Sequence, residues 1–307
     1  MKVGAVVLHY RFWPRVRSTL EALLSQTRRP DEIVLVDNRS DDGSAESIRG
    51  AFPQVEVIEA RLNRGYAAGM NIGLHAMLSR GAEAILLLTH ECRLAPDALR
   101  ALVARLEEEP ILGAVGPLLA YESAPHLVFS AGGSLRPRDW RGVHLREPDR
   151  VDDWRGRDPH AVEWLDGAAI LLRDAAARAL GKLDEDYFMY YEETEYLVRL
   201  RAAGWKVECV PAAVAWQESG GKPDYLFTRN RLRFVARVAP RRVLLLELAR
   251  ELRSLIENSR RPRSTAEIAV DRERRRAVLH FLLRRWGPGP TDDAITGSTN
   301  QPESSRT

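Results

Sequence analysis

The sequence predicts an α/β fold: a doubly wound, mostly parallel sheet with a C-terminal helical extension. Three observations carry this. Short apolar runs recur at residues 3–8 (VGAVVL), 33–36 (IVLV) and 84–88 (AILLL), as strands covered on both faces require. Segments with helical spacing of apolar residues separate them, and that alternation builds a parallel sheet with helices on both sides. Beyond about residue 222 the strand-like runs stop and arginine-rich helical segments take over.

The elements follow in order. Pro14 opens a helix with Val16, Leu20, Leu23 and Leu24 on one face. The strand at 33–36 runs into Asp37-Asn38-Arg39-Ser40-Asp41-Asp42-Gly43-Ser44, a loop of turn-forming residues. A third strand is expected at 55–58, then an Asn63-Arg64-Gly65 turn and a helix carrying small residues at Ala67, Ala68, Gly69 and Gly73. The strand at 84–88 ends at Thr89-His90-Glu91; a helix at 96–108 and a short strand from 114–116 follow. Residues 121–162 read as loops and short strands, and 164–173 (WLDGAAILLR) as a strand after Asp166-Gly167. A strand at 206–210, a loop at 217–221 and helices at 225–238, 243–256 and 272–286 complete the chain. The middle helix sets Leu244, Leu248, Leu252 and Leu255 on one stripe. Residues 287–307, rich in Gly, Pro, Ser and Thr, are expected to be a disordered tail.

Composition bounds the function. The 307 residues are 45% apolar and 29% charged, which marks a globular chain. No apolar run approaches the roughly 18 residues of a membrane-spanning helix. The opening MKVGAVVLHYRFWP lacks the cleavage site of a signal peptide. Cys92 and Cys209 are far apart, as thiols of a reducing compartment would be, so a cytoplasmic location is expected. The net charge of +3 hides a bias: residues 222–286 hold 18 basic against 7 acidic side chains. Such a segment suits membrane headgroups, a phosphorylated acceptor or nucleic acid, or is a solvated arginine-rich face.

Two features point to chemistry. In doubly wound sheets ligands sit beyond the carboxyl ends of the strands, and three such ends are polar here: His9-Tyr10, Asp37 and Glu91. No GxGxxG follows the first strand and no Walker loop is present, so dinucleotide and P-loop sites are not indicated. Farther on, Glu192, Glu193 and Glu195 follow an aromatic run, Tyr187, Phe188, Tyr190 and Tyr191. Carboxylates favour a helix N-terminus, and beside apolar walls they become bases. Glu195 lies four residues before Arg199, the spacing of a helical ion pair.

Seven ordered blocks between Val3 and Phe234 resemble the family 2 glycosyltransferases of the GT-A fold, in particular their rhamnosyltransferase-like branch. VDNRSDDGS is similar to the family's nucleotide loop, and LNRGYAAGMNIGL to its Asn-x-Gly-aromatic segment. ILLLTHECRL stands in the place of its metal motif, and WLDGAAILLR resembles its acceptor-side strand. LDEDYFMYYEETEYLVRLRAAGW resembles its base-carrying segment and TRNRLRF its Arg-Asn block, while HYRFWP after the first strand completes the set.

The resemblance implies an inverting transfer of a sugar from a UDP- or dTDP-sugar to an acceptor hydroxyl on a saccharide, a lipid-linked saccharide or a natural product. Glu193 would be the general base. His9, Tyr10, Asp37, Asn38, Arg64, Gly65, Asn71, His90 and Arg229 would hold the donor, with Asp37 on the base and Arg229 on the diphosphate. Trp164, Asp166, Gly167 and Glu192 would border the acceptor. A divalent cation, Mg²⁺ or Mn²⁺, would sit on the diphosphate through Glu91 and Gln217. Glu91 replaces the family's usual Asp and Gln217 its frequent His. These departures motivate the alternative of a metal-independent or non-catalytic nucleotide-sugar-binding protein. The implied division is 1–120 for donor binding, 121–238 for acceptor and catalysis, and 239–286 for basic helices. The implied partners are donor, acceptor and, through the basic helices, the inner membrane face, with no nucleic acid.

Overall fold

A computed structural model describes residues 1–289 except 147, 219, 220, 222 and 260–263. Residues 290–307 of the tail expected at 287–307, and part of the 217–221 loop, therefore lie outside the described residues. The chain forms two compact units, one of residues 1–185 and 192–220, the other of 186–191 and 221–307.

The first unit is built on a mixed sheet. Its strands are β1 (Val3–His9), β2 (Glu32–Asp37), β3 (Glu56–Glu59), β4 (Ala84–Thr89), β5 (Arg93–Leu94), β6 (Leu112–Tyr121), β7 (Val128–Ser130), β8 (Gly133–Leu135), β9 (Gly142–His144), β10 (His160–Ala161), β11 (Ala169–Arg173) and β12 (Lys206–Gln217). The main path runs β10-β12-β6-β11-β4-β1-β2-β3, with β5 on β12 and β7 on β6; β8 and β9 form a separate hairpin. β1 pairs parallel with both β2 and β4, and β6 pairs parallel with β12. β11 runs antiparallel between β4 and β6, so the sheet is mostly rather than wholly parallel.

Alternate residues on each strand feed two cores. Val6, Leu8, Val34, Val36, Ile85 and Leu87 face α3 (Gly65–Ser79), α5 (Asp174–Leu180) and α6 (Glu192–Ala202). Ala5, Val7, Leu35, Leu86 and Leu88 face α1 (Trp13–Leu24), α2 (Ser44–Ala51) and α4 (Ala98–Glu108). Burial on both sides explains why these strands read as unbroken apolar runs. α3 lies unusually close to the sheet. A Cβ on Gly69 would overlap Leu8 and one on Gly73 would overlap Val6, so the small residues permit a close approach.

Several elements differ from expectation: α2 and α5 are added, and β6 is ten residues long where a short strand was expected. β12 runs to Gln217 instead of stopping near residue 210, because it resumes pairing with β6 after an irregularity between Val210 and Val214. The strand expected at 164–173 is regular only from Ala169. Trp164 makes an isolated bridge to Gly133, and Gly167 lies in a turn. In the second unit, α7 (Asp224–Val238) and α8 (Arg241–Ser259) match the expected helices closely, but α9 spans Thr265–Leu282. Its start is set by a capping box: the Ser264 hydroxyl accepts from Glu267 N–H while the Glu267 carboxylate accepts from Ser264 N–H. Among the described residues no helix is long and apolar enough to cross a membrane.

Gly73→Val tests the close packing of α3. Forcing a branched side chain onto Val6 should cost roughly 1–3 kcal/mol in urea-induced unfolding. Parental stability would show that the helix does not ride on β1 as described.

Candidate active site

The parallel registers collect the first group of side chains. His9 stands opposite Asp37, and Leu8 opposite Thr89, so the ends of β1, β2 and β4 share one sheet edge. There the His9 and His90 rings meet edge to face, 5.1 Å apart. The His90 Nδ1 accepts from the Tyr10 N–H at 2.9 Å, which leaves the ring proton on Nε2. Burial, with smaller contributions from His9 and Arg15, pushes the His90 pKa down to about 3. His9 is fully buried with Nε2 2.8 Å from the Ser44 hydroxyl, and burial lowers its pKa as well. Both rings are therefore neutral near pH 7.

The loops beyond β1 and β2 are strained and tied together. Arg11, Phe12, Arg39 and Asp41 all have positive φ, a conformation rare outside glycine that clusters at functional sites. Arg11 N–H donates to the Ser40 hydroxyl at 2.8 Å and Phe12 N–H to the Asp42 carboxylate at 3.1 Å. Asp37, 3% exposed, accepts from both the hydroxyl and the N–H of Ser40. Asn38 donates to Asn63 and to the Gly65 carbonyl, and Gly65 takes φ 84° at the start of α3. A cavity of about 530 Å³ opens here, lined by Asp37, Arg39, Asp41, Gly43 and Glu59 among others.

A second group gathers across β4. Thr89 N–H donates to the Ala168 carbonyl at 3.0 Å, so the Asp166-Gly167 turn adjoins the end of that strand. The Tyr66 hydroxyl, one residue past Gly65, donates to the Gly167 carbonyl at 2.7 Å. A Cβ on Gly167 would stand 3.4 Å from the Glu193 Cγ. Burial and the nearby charges of Glu193 and Glu192 raise the Tyr66 pKa, so its proton stays in place. Glu193 is half-buried, beside a buried Glu192. Asp166 lies 3.8 Å from the His144 Nδ1. Glu195 is fully buried and bonds Arg199 at 2.8 Å, the ion pair its spacing suggested.

Other candidates hold the structure instead. Arg229 has no exposed surface; its guanidinium donates to the Tyr187 and Gly287 carbonyls and to the Asn230 side chain. Burial and these bonds give it a structural task within the second unit. With Asn230, which donates to the carbonyls of Tyr187, Met189 and Tyr190, it clamps a segment whose Phe188, Tyr190 and Tyr191 all have positive φ. Asn71 is likewise committed: its amide bonds both the carbonyl and the N–H of Leu183 and reaches Glu185. Trp164 is a core aromatic, 6% exposed, with its N–H on the Ser134 carbonyl. Arg64 is exposed and paired with Glu185 at 2.9 Å.

Glu91 lies in the turn just past β4, paired with Arg15 at 3.0 Å. Its side chain is 38% exposed, yet burial raises its pKa; Arg15 pulls the other way and Glu218 adds to the rise. Gln217 is not in a loop. It ends β12, 8% exposed, and the pairing of Trp216 with Arg93 brings it beside the 91–92 turn. Among the described residues no three His, Cys, Asp or Glu side chains form a metal-ligating group.

These blocks have counterparts in known proteins. Residues 5–162 match the family model described as glycosyl transferase family 2. The chain belongs to glycosyl transferase family 2. This family 2 chain is 28% identical over 230 residues to an N-acetylglucosaminyl-diphospho-decaprenol L-rhamnosyltransferase of Mycobacterium tuberculosis, covering 68% of itself and 73% of that relative. It is 23% identical over 213 residues to the dTDP-rhamnosyl transferase RfbF of Shigella flexneri, covering 68% and 66%. Among solved structures, the mannosyltransferase PcManGT of Pyrobaculum calidifontis superposes with a TM-score of 0.56 at 16% identity, covering 92% of this chain and 86% of that one. GalNAc-T7 gives 0.60 at 18% identity over 76% of this chain, which spans about half, 48%, of that structure. The fold is therefore GT-A and the family 2 chain is a glycosyltransferase.

Sequence reasoning passed over Tyr66, His144, Arg15 and Glu218 in this glycosyltransferase. Tyr66 was within reach, as the aromatic position of the Asn-x-Gly segment. Of the other three, Arg15 comes from α1, while His144 on β9 and Glu218 just past β12 are placed by strands.

The buried histidines carry a pH signature. Both have folded pKa values below the unfolded value near 6.5, so the unfolded chain binds more protons and stability falls as pH drops below about 6.5. Urea unfolding between pH 7.5 and 5 should show this loss. His9→Gln should make it shallower by up to about 1.4 kcal/mol per pH unit; an unchanged slope would place the titration elsewhere.

Proposed function

We propose that this glycosyltransferase moves a hexosyl or deoxyhexosyl group from a UDP- or dTDP-sugar to an acceptor hydroxyl, inverting the anomeric centre. The observation that carries the reading is the juxtaposition of Glu193 with the Asp166-Gly167 turn, one strand from the His9–Asp37–His90 edge. Donor base and diphosphate would lie over the ends of β1, β2 and β4. His90 would donate a hydrogen bond from Nε2, and an Asp37 oxygen would reach the base once Ser40 turns away. The acceptor would enter by Asp166 and Gly167, where the Glu193 carboxylate takes its hydroxyl proton as the oxygen attacks. A single displacement needs no covalent intermediate. The relatives' names support a dTDP-linked donor and a lipid-linked saccharide acceptor. The buried thiols suit a cytoplasmic site of action.

The open carboxylate of Glu91 and the side chain of Gln217 fit a cation held mainly by the donor's diphosphate, as such ions are commonly bound. Bound there, Mg²⁺ or Mn²⁺ would neutralise charge on the leaving diphosphate. GalNAc-T7 and PcManGT were both solved with Mn²⁺. The Arg15–Glu91 pair favours a second reading, in which Arg15 supplies that positive charge itself.

Glu193→Gln should lower kcat by about 10²- to 10⁴-fold while thermal shift still reports donor binding; wild-type turnover would remove Glu193 as the base. Activity in EDTA separates the two readings of Glu91. Loss that Mn²⁺ restores supports the cation, and full activity that Arg15→Ala abolishes supports the arginine.

A further inference from the structure

α8 buries two glutamates beside Val243 and Leu255 and exposes a second apolar stripe. A surface helix normally buries its apolar stripe and shows its charges to water. Here Glu247 is 1% exposed and Glu251 9%, whereas Leu245 is 67% exposed and Leu252 and Ile256 are each 52% exposed. The inward face is held by ion pairs. Arg274 bonds Glu251 at 2.6 Å, and Arg231 lies 3.5 Å from Glu247. Positions 245, 252 and 256, with Ala249 among them, fall on one outward stripe at i, i+4, i+7 and i+11. Exposed Arg241, Arg242 and Arg253 flank it. α9 repeats the pattern, with exposed Ile268, Leu279 and Leu282 spaced by Arg272 and Arg275.

The geometry points to α8 as a membrane-surface helix: its outward leucines and isoleucine sink into the headgroup layer of an anionic bilayer while the flanking arginines meet lipid phosphates. An apolar face bordered by arginines is the pattern of helices that lie in that interface. The surplus of 18 basic over 7 acidic side chains in residues 222–286 gives the complementary charge. A second copy of the chain fits less well, since pairing two such stripes would set the arginine flanks of both copies against each other. This inference needs neither donor nor acceptor and so stands apart from the proposed reaction.

The test uses the full chain and vesicle flotation. The protein should float with vesicles containing phosphatidylglycerol and remain below with phosphatidylcholine alone. Leu245→Glu/Leu252→Glu, which alters exposed positions only, should lower the partition about tenfold or more with thermal stability unchanged. Leu252→Cys bearing an environment-sensitive dye should brighten and shift blue on the anionic vesicles. Labelling there is selective because Cys92 and Cys209 have no exposed surface. Three results would overturn the assignment: no flotation by the parent, flotation indifferent to the double substitution, or a dimer in light scattering that the same substitution splits.

Discussion

The site depends on the parallel pairing of β1 with a neighbour on each side. Because β1 meets β2 and β4 in fixed register, His9, Asp37 and His90 must emerge together. One residue of slip in either ladder would turn their side chains to the opposite face. The glycines of α3 protect that register by letting the helix settle directly on Val6 and Leu8. The same helix opens at Gly65 and presents Tyr66 to the Gly167 carbonyl. One close-packed helix thus fixes the strand ends and reaches across to the turn beside Glu193.

Much of this was legible in the sequence, for physical reasons. Strands buried on both faces leave continuous apolar runs, and their polar ends mark where a ligand can sit, so the sheet edge and the Glu193 segment could be found without coordinates. Trp164, Asn71 and Arg229 show the limit. Each lies in a block that resembles a binding motif, yet each serves the scaffold. A side chain that touches a ligand and one that holds a loop in place leave the same trace in a sequence, since both demand a particular polar or aromatic group. Only burial and bonding partners separate them.

Helix orientation was the other limit. The periodicity of 243–256 is real, but period alone does not say which stripe faces inward. Val243, Glu247, Glu251 and Leu255 are the buried positions. Two buried glutamates are tolerable because Arg250 on α8 and Arg231 on α7 meet Glu247 and Arg274 on α9 meets Glu251; the i,i+3 pair is legible locally, but no short-range pattern announces partners 16 and 23 residues away. The Arg229-Asn230 pair follows the same logic: side-chain donors satisfy the carbonyls of a strained aromatic segment that has left regular structure.

His90 has a consequence for selectivity between outcomes. Its Nδ1 is occupied by the Tyr10 N–H and its pKa is near 3, so the ring can point a hydrogen at an oxyanion but has no labile proton to surrender. A group of this kind discriminates by charge and position without acting as an acid. A neutral imidazole at that edge therefore offers a hydrogen-bond donor without offering an acid.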